Sequence, residues 1–112
     1  MAQNFRNYLT RNTGTAAVDL LGGAVGSSTY DCIVSLRLAN TTTSTINVEV
    51  YIKSSSTDYY LIKNCPIVSG GSLELMDGGS KVVLQDSQQL YAKSDTASSL
   101  DAVVSVVDQI ST

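Results

Sequence analysis

From residue 46 to residue 53 the chain reads Ile-Asn-Val-Glu-Val-Tyr-Ile-Lys, a strict apolar/polar alternation with the period of two that marks a half-buried strand. Ile46, Val48, Val50 and Ile52 share one face; Asn47, Glu49, Tyr51 and Lys53 share the other. The stretch before it alternates too, which predicts Tyr30, Cys32, Val34, Leu36 and Leu38 inward and Asp31, Ser35 and Arg37 outward. The Ser-, Thr- and Asn-rich residues 40–45 between them favour a turn, so the two strands are expected to pair as a hairpin. Residues 54–57 form a second turn, followed by a strand over 58–63 that ends near Pro66, which has no N–H for a ladder. Residues 67–68, Gly70-Gly71 and 73–75 predict a bend and then a short strand. Asp77-Gly78-Gly79 is a turn signature. Residues 81–85 and 89–94 are short strands separated by Asp86-Ser87.

The segment from 99 to 110 is rich in Val on both faces, Val103 and Val107 lying opposite Ala102, Val104 and Val106. Two apolar faces place a strand at the centre of a sheet, or put one face in the core and the other against a partner. An amphipathic helix is the alternative, and the β-branched Val pairs argue against it. Residues 1–13 carry Phe5, Tyr8 and Leu9 among polar residues, as an edge strand or an arm. Residues 22–28 are a flexible loop by composition. No internal repeat of convincing length appears. Short strands with closely spaced turns point to an all-β chain, a sandwich or small barrel. The reading adopted is a single-domain antiparallel β-sandwich, jelly-roll or Ig-like, over residues 14–112, preceded by the N-terminal arm.

Composition narrows the chemistry. At 112 residues and 43 % apolar content the chain has enough material for one core. Seven basic and ten acidic residues give a net charge of −3. The cations Arg6, Arg11, Arg37, Lys53, Lys63, Lys81 and Lys93 are scattered, so no basic face for a nucleic-acid backbone is expected. No run approaches the roughly 20 apolar residues of a membrane span, and the polar N-terminus lacks the apolar stretch of a secretory signal. Synthesis in a cytoplasm is expected. The charged fraction is low, 15 %, leaving a Ser/Thr/Asn/Gln surface suited to a sparsely charged setting or to packing against neighbouring subunits.

The chain has no histidine, which removes Ser-His-Asp and Cys-His arrangements and the residue best suited to proton transfer near neutral pH. Asp31, Asp58, Asp77, Asp86 and Asp95 fall at expected turns or strand ends, where turn propensity explains them. None of the glycine pairs is followed by Lys-Ser/Thr and a helix, as a phosphate loop requires. Cys32 and Cys65 make no zinc pattern; they read as two small buried hydrophobes, with a disulfide between strands as the alternative. No enzyme activity, no cofactor and no metal are expected. Two uses remain. Tyr51, Tyr59 and Tyr60 are close enough in sequence for a cross-strand cluster, a candidate patch for a glycan or a cell-surface receptor. An N-terminal arm and a two-faced last strand, with few charges to guard open edges, favour assembly.

The residues that support assembly also carry a resemblance. Asn-Phe-Arg-Asn-Tyr-Leu-Thr-Arg-Asn-Thr-Gly-Thr from residue 4, and residues 36–42 running into 46–52, resemble small virion proteins of tailed bacteriophages, particularly marine and cyanobacterial ones. So do residues 60–64, Pro66-Ile67, residues 70–73, 78–85 and 99–106. The resemblance implies a non-enzymatic structural component present in many copies: a capsid cement or decoration subunit, or an accessory piece of tail, neck or baseplate. Its partners would be other virion proteins and copies of itself, and its place the virion. Phe5, Tyr8, Leu9, Val103 and Val107 are the expected contacts, and deleting residues 1–12 is expected to abolish incorporation and leave the domain folded.

Overall fold

The computed structural model describes residues 4–21, 25, 29–76, 81–85 and 87–111, giving only the backbone of 4, 29 and 108–111. The Asp77-Gly78-Gly79 turn, Asp86 and most of the 22–28 loop lie outside the described residues. Among the described residues there are nine strands: β1 (Asn4–Thr13), β2 (Val18–Asp19), β3 (Thr29–Asn40), β4 (Ile46–Ser54), β5 (Thr57–Ile67), β6 (Ser72–Glu74), β7 (Val82–Leu84), β8 (Gln89–Ser94) and β9 (Leu100–Ser111).

They make two antiparallel sheets. The larger has the order β1-β9-β3, with β6 and β7 both on the far edge of β3; the smaller has the order β2-β8-β4-β5. The pairing is nested: first strand with last, second with second-last, third with the split β6/β7, fourth with fifth. A long antiparallel ribbon rolled into a two-layer sandwich has this order, which makes the fold a jelly roll. Between the layers Leu36, Leu38, Ile46, Val48, Val50, Leu84, Leu90, Leu100 and Val104 are fully buried. The β4 alternation read from sequence holds, with Ile46, Val48 and Val50 inward. β9 sits centrally between β1 and β3; its Ala102, Val104 and Val106 face the core, and Val103 is exposed on the outer face.

Two expectations are corrected. β3 and β4 do not form a hairpin; they lie in different sheets, and the turn between them is a crossover. Period two says which face of a strand is buried and nothing about which strand lies beside it. The crossover is fastened by Asn40, whose amide donates to the carbonyls of Ser44 (2.8 Å), Ile67 (2.9 Å) and Val68 (3.1 Å), while its side-chain oxygen accepts from the Thr42 N–H and hydroxyl.

The phase of β3 is the second correction. Bulges between Tyr30 and Cys32 and between Ile33 and Ser35 shift its register on β9. Asp31 and Ile33 therefore point inward before the slip and Leu36 and Leu38 after it, while Tyr30 and Val34 are exposed and Cys32 is half-buried. A bulge adds one residue to one strand and so flips the alternation downstream of it.

Ser54 pairs with Thr57 across a two-residue hairpin in which Ser55 and Ser56 both have positive φ, 52° and 67°. The geometry has the signs of a type I′ turn, which glycine enters more readily than serine. Ser56→Gly is therefore expected to raise stability by about 0.5–1 kcal/mol, read as a higher urea midpoint at unchanged slope.

Glu74 closes the gap between the two short strands that share the β3 edge. The Leu36 and Met76 N–H groups donate to its Oε2 (3.0 and 3.2 Å) and the Ser35 hydroxyl to its Oε1 (3.1 Å), with Arg37 Nε 3.7 Å away. Partial burial pushes this carboxyl up, but the donors and Arg37 outweigh it and hold it below its ordinary value of 4.5. A depressed carboxyl contributes stability that is present above pH 4.5 and lost as pH falls through the lower folded value. Glu74→Gln is expected to lower the melting temperature at pH 7 and to flatten the loss of stability below pH 4.5, measured by thermal unfolding across pH 3–7.

Candidate functional site

Among the described residues no group of three or more His, Cys, Asp or Glu side chains is placed to hold a metal ion. Cys32 and Cys65 are unbonded and half-buried. They sit in different sheets, Cys32 opposite Val107 and Val83, Cys65 opposite Val48. The features left over from the core are two sheet faces.

The outer face of the larger sheet follows from register. Phe5 pairs with Val107, Asn7 with Ser105 and Leu9 with Val103, all on the side away from the buried Ala102, Val104 and Val106. The rows continue onto β3: Val107 to Cys32, Ser105 to Ser35, Val103 to Arg37. Beyond Cys32 lies Val83, and beyond Arg37 lies Glu74. The result is a polar middle row, Asn7-Ser105-Ser35, with apolar residues on both sides of it. Phe5 is 82 % exposed, Leu9 70 %, Val83 54 % and Val103 43 %. A groove of about 290 Å³ lies beside Leu9 and Val103, bounded by Thr10, Arg11, Asp101 and Ala102. It opens where β1 slips against β9 between Thr10 and Thr13, with Asn12 at φ 58° and its N–H on Asp101 Oδ1 (3.0 Å).

The structure thus brings Phe5, Leu9, Val103 and Val107 to one surface and leaves Tyr8 out. Tyr8 pairs with the inward-facing Val104 and packs against the core. Residues 5 and 9 share a parity along the strand and residue 8 has the other, a signal already present in the sequence. Because β1 is an integral strand with a core residue, removing residues 1–12 takes away part of the sheet, and the truncated domain is expected to lose stability instead of remaining intact.

On the outer face of the smaller sheet the tyrosine cluster has a different membership from the one expected. Tyr51 lies between Tyr60 (ring centroids 5.2 Å) and Tyr91 (5.5 Å, stacked). Tyr59 pairs with Ile52, on the opposite face, and lines a cleft of about 370 Å³ with Ser54, Val83, Gln85 and Gln88. Tyr91 was missed by sequence reading; its position between Leu90 and Ala92, both buried, is the alternation that reveals it.

The cluster is internally satisfied. Lys63 Nζ lies 4.2 Å from the Tyr60 ring centre and Lys53 Nζ 5.7 Å from that of Tyr91. Glu49 sits between Lys63 (3.6 Å) and Lys93 (3.9 Å). Burial, helped by Asp58, pushes the Tyr51 hydroxyl above its ordinary pKa; the hydrogen bond with Tyr60, with Glu49 nearby, raises Lys63. A sugar-binding platform needs open ring faces; here the rings face one another and their lysines.

No protein-family model and no curated protein matches the sequence. Solved structures match the fold. One, from Bacillus endospore appendages described as disulfide-linked pili, aligns at a TM-score of 0.58 and 10 % identity over 99 % of this chain and 88 % of that one. Another, from an archaeal virus with a triple jelly-roll fold and a turret assembly, aligns at 0.52 and 15 % identity over 98 % of this chain and 30 % of that one. A third, the Eiger TNF protein of S. frugiperda, aligns at 0.50 and 8 % identity over 98 % of this chain and 94 % of that one. At such identities the likeness is one of fold, the jelly-roll sandwich.

Proposed function

We propose that the chain is a non-enzymatic structural subunit of a virion, used in many copies and acting through contacts between subunits. The observation that carries this reading is the exposed apolar face of the larger sheet. A sheet face holding Phe5, Leu9, Val83, Val103 and Val107 is costly to leave in water and marks a protein contact. Two of the structures of the same fold belong, by their descriptions, to assemblies, a pilus and a virus turret. The sequence resemblance to small phage virion proteins supports a virion as the kind of assembly. Within it, the subunit is a cement or decoration protein on the capsid, or an accessory of tail, neck or baseplate. A glycan- or receptor-binding role for the Tyr51-Tyr60-Tyr91 cluster is disfavoured, because Tyr51 at its centre is buried between the other two rings.

The test uses purified particles. Phe5→Asp and Leu9→Asp change exposed side chains, so the variants are expected to fold. Losing one well-covered apolar contact costs about 1.5–3 kcal/mol, so incorporation is expected to drop about tenfold or more. Copy number by quantitative mass spectrometry then gives the location: hundreds per particle for a capsid protein, a small multiple of three or six for a tail or neck protein. Wild-type levels of the doubly substituted protein in particles would overturn the reading.

A further inference from the structure

We infer that the partner of this face is a second copy of the same chain, docked about a two-fold axis running along the Asn7-Ser105-Ser35 row, so that Phe5 of each copy enters the other's groove beside Leu9 and Val103. The inference rests on the structural-subunit reading and specifies what its contact face takes.

The face is self-complementary. It carries a protruding ring, Phe5, and an apolar groove of about 290 Å³ bounded by Leu9, Val103, Arg11 and Asp101. A cavity of about 150 Å³ accepts benzene, so a phenyl group fits with room for its approach. Knob and groove lie over the same two strands on opposite sides of the polar row. Phe5 and Leu9 are each two residues from Asn7, about 7 Å along the strand. Rotation by half a turn about that row exchanges the two positions: each Phe5 comes to lie over the other copy's Leu9, and the polar row meets itself. Both grooves are then filled at once, the doubling that an isologous contact provides.

Charge permits the same arrangement. The protein carries −3 overall, but the charges on this face are matched: Arg37 lies 3.7 Å from Glu74, and Arg11 and Asp101 border one groove. Two like faces meet without net repulsion, and Arg11 places a guanidinium at the rim where an incoming ring presents its face. The face spans about 24 Å along the strands and about 15 Å across four of them. That is roughly 360 Å² per copy and about 720 Å² for both, below the roughly 1,200 Å² at which specific interfaces begin, so the dimer is expected to be weak, forming at high micromolar concentration and reinforced where subunits are held close together.

A complementation experiment tests the geometry. Phe5→Lys and Leu9→Glu are prepared separately, with circular dichroism confirming that each folds, and association is followed by sedimentation velocity over a micromolar series. Each variant alone is expected to lose at least tenfold in dimerisation. An equimolar mixture is expected to recover a heterodimer. In it the lysine introduced at position 5 of one copy meets the glutamate introduced at position 9 of the other, and the second contact is the unaltered one between Leu9 and Phe5. Within one chain the two positions are about 13 Å apart, too far to pair internally. A mixture that associates no better than its components, or a wild-type protein monomeric throughout the series, overturns the inference. In either case loss of the aspartate variants from particles leaves the structural-subunit reading standing with another protein on the face, and their normal incorporation removes both.

Discussion

Asn40→Asp is expected to lower the melting temperature by about 15 °C or more at pH 7. The amide of Asn40 is 3 % exposed and donates to three carbonyl oxygens, those of Ser44, Ile67 and Val68. An aspartate of the same shape removes those donors and sets a carboxylate against three acceptors. One carboxylate oxygen keeps the Thr42 N–H and hydroxyl as donors, but the other faces the carbonyls. Such a buried, poorly paired charge costs about 3–5 kcal/mol, a large share of the roughly 5–15 kcal/mol that holds a domain of this kind together, and each kilocalorie is about 4 °C here. The sign with pH is opposite to that of Glu74. An aspartic acid in this pocket has its folded pKa raised, so its protonated form is the tolerated one. The deficit relative to wild type is therefore smallest in acid and grows as pH rises through the raised value. Thermal unfolding of the two proteins side by side from pH 4 to pH 8 measures it, and a constant deficit would show that the substituted side chain has swung out to solvent.

Leu36→Ala is expected to cost about 3–5 kcal/mol. Leu36 is fully buried, faces Val104 across the β3–β9 ladder, and lies where the backbone is tied to the split edge: its N–H donates to Glu74 and its carbonyl accepts from the Leu75 N–H (2.9 Å). The neighbouring strands are held on both sides, so the site collapses poorly and the cavity persists. Leu9→Ala, on the opposite surface of the same sheet, is the contrast. Leu9 is 70 % exposed in the single chain, and its truncation is expected to change monomer stability by less than about 0.5 kcal/mol. Urea midpoints of the two variants, measured below the concentration of association, separate the core side of this sheet from its contact side. Similar losses for both would show that the outer face is part of the fold and not a surface.

Much of the architecture was legible in the sequence because burial imposes a period of two. The alternation of Ile46, Val48 and Val50, the central β9 and the turns at 54–57 and 70–71 all follow from side-chain chemistry within a few residues. What was not legible depends on distant parts of the chain. The partner of β3 on one side is β9, sixty or more residues away, and no local pattern distinguishes that pairing from a hairpin with β4. The inward phase of β3 is set by a bulge at Val34, and the residues around it carry no Gly or Pro to announce it. For the contact face, Phe5 and Leu9 were identified by being apolar in a polar segment, and Tyr8 joined them for the same reason; only the strand's parity tells them apart. Tyr59 entered the tyrosine group by closeness in sequence, where Tyr91, across two strands, entered it in space.

The nested pairing of the strands bears on how the protein is made. β1 takes its place beside β9, so the larger sheet has no centre until residues 100–111 have left the ribosome. Folding of the sandwich is therefore postponed until β9 has been made and is governed by closure of the long stretch between β1 and β9, a topology expected to fold in milliseconds to seconds. Until then the apolar strands of each nascent chain stand open beside those of its neighbours on the same message, a hazard that grows with the rate of synthesis.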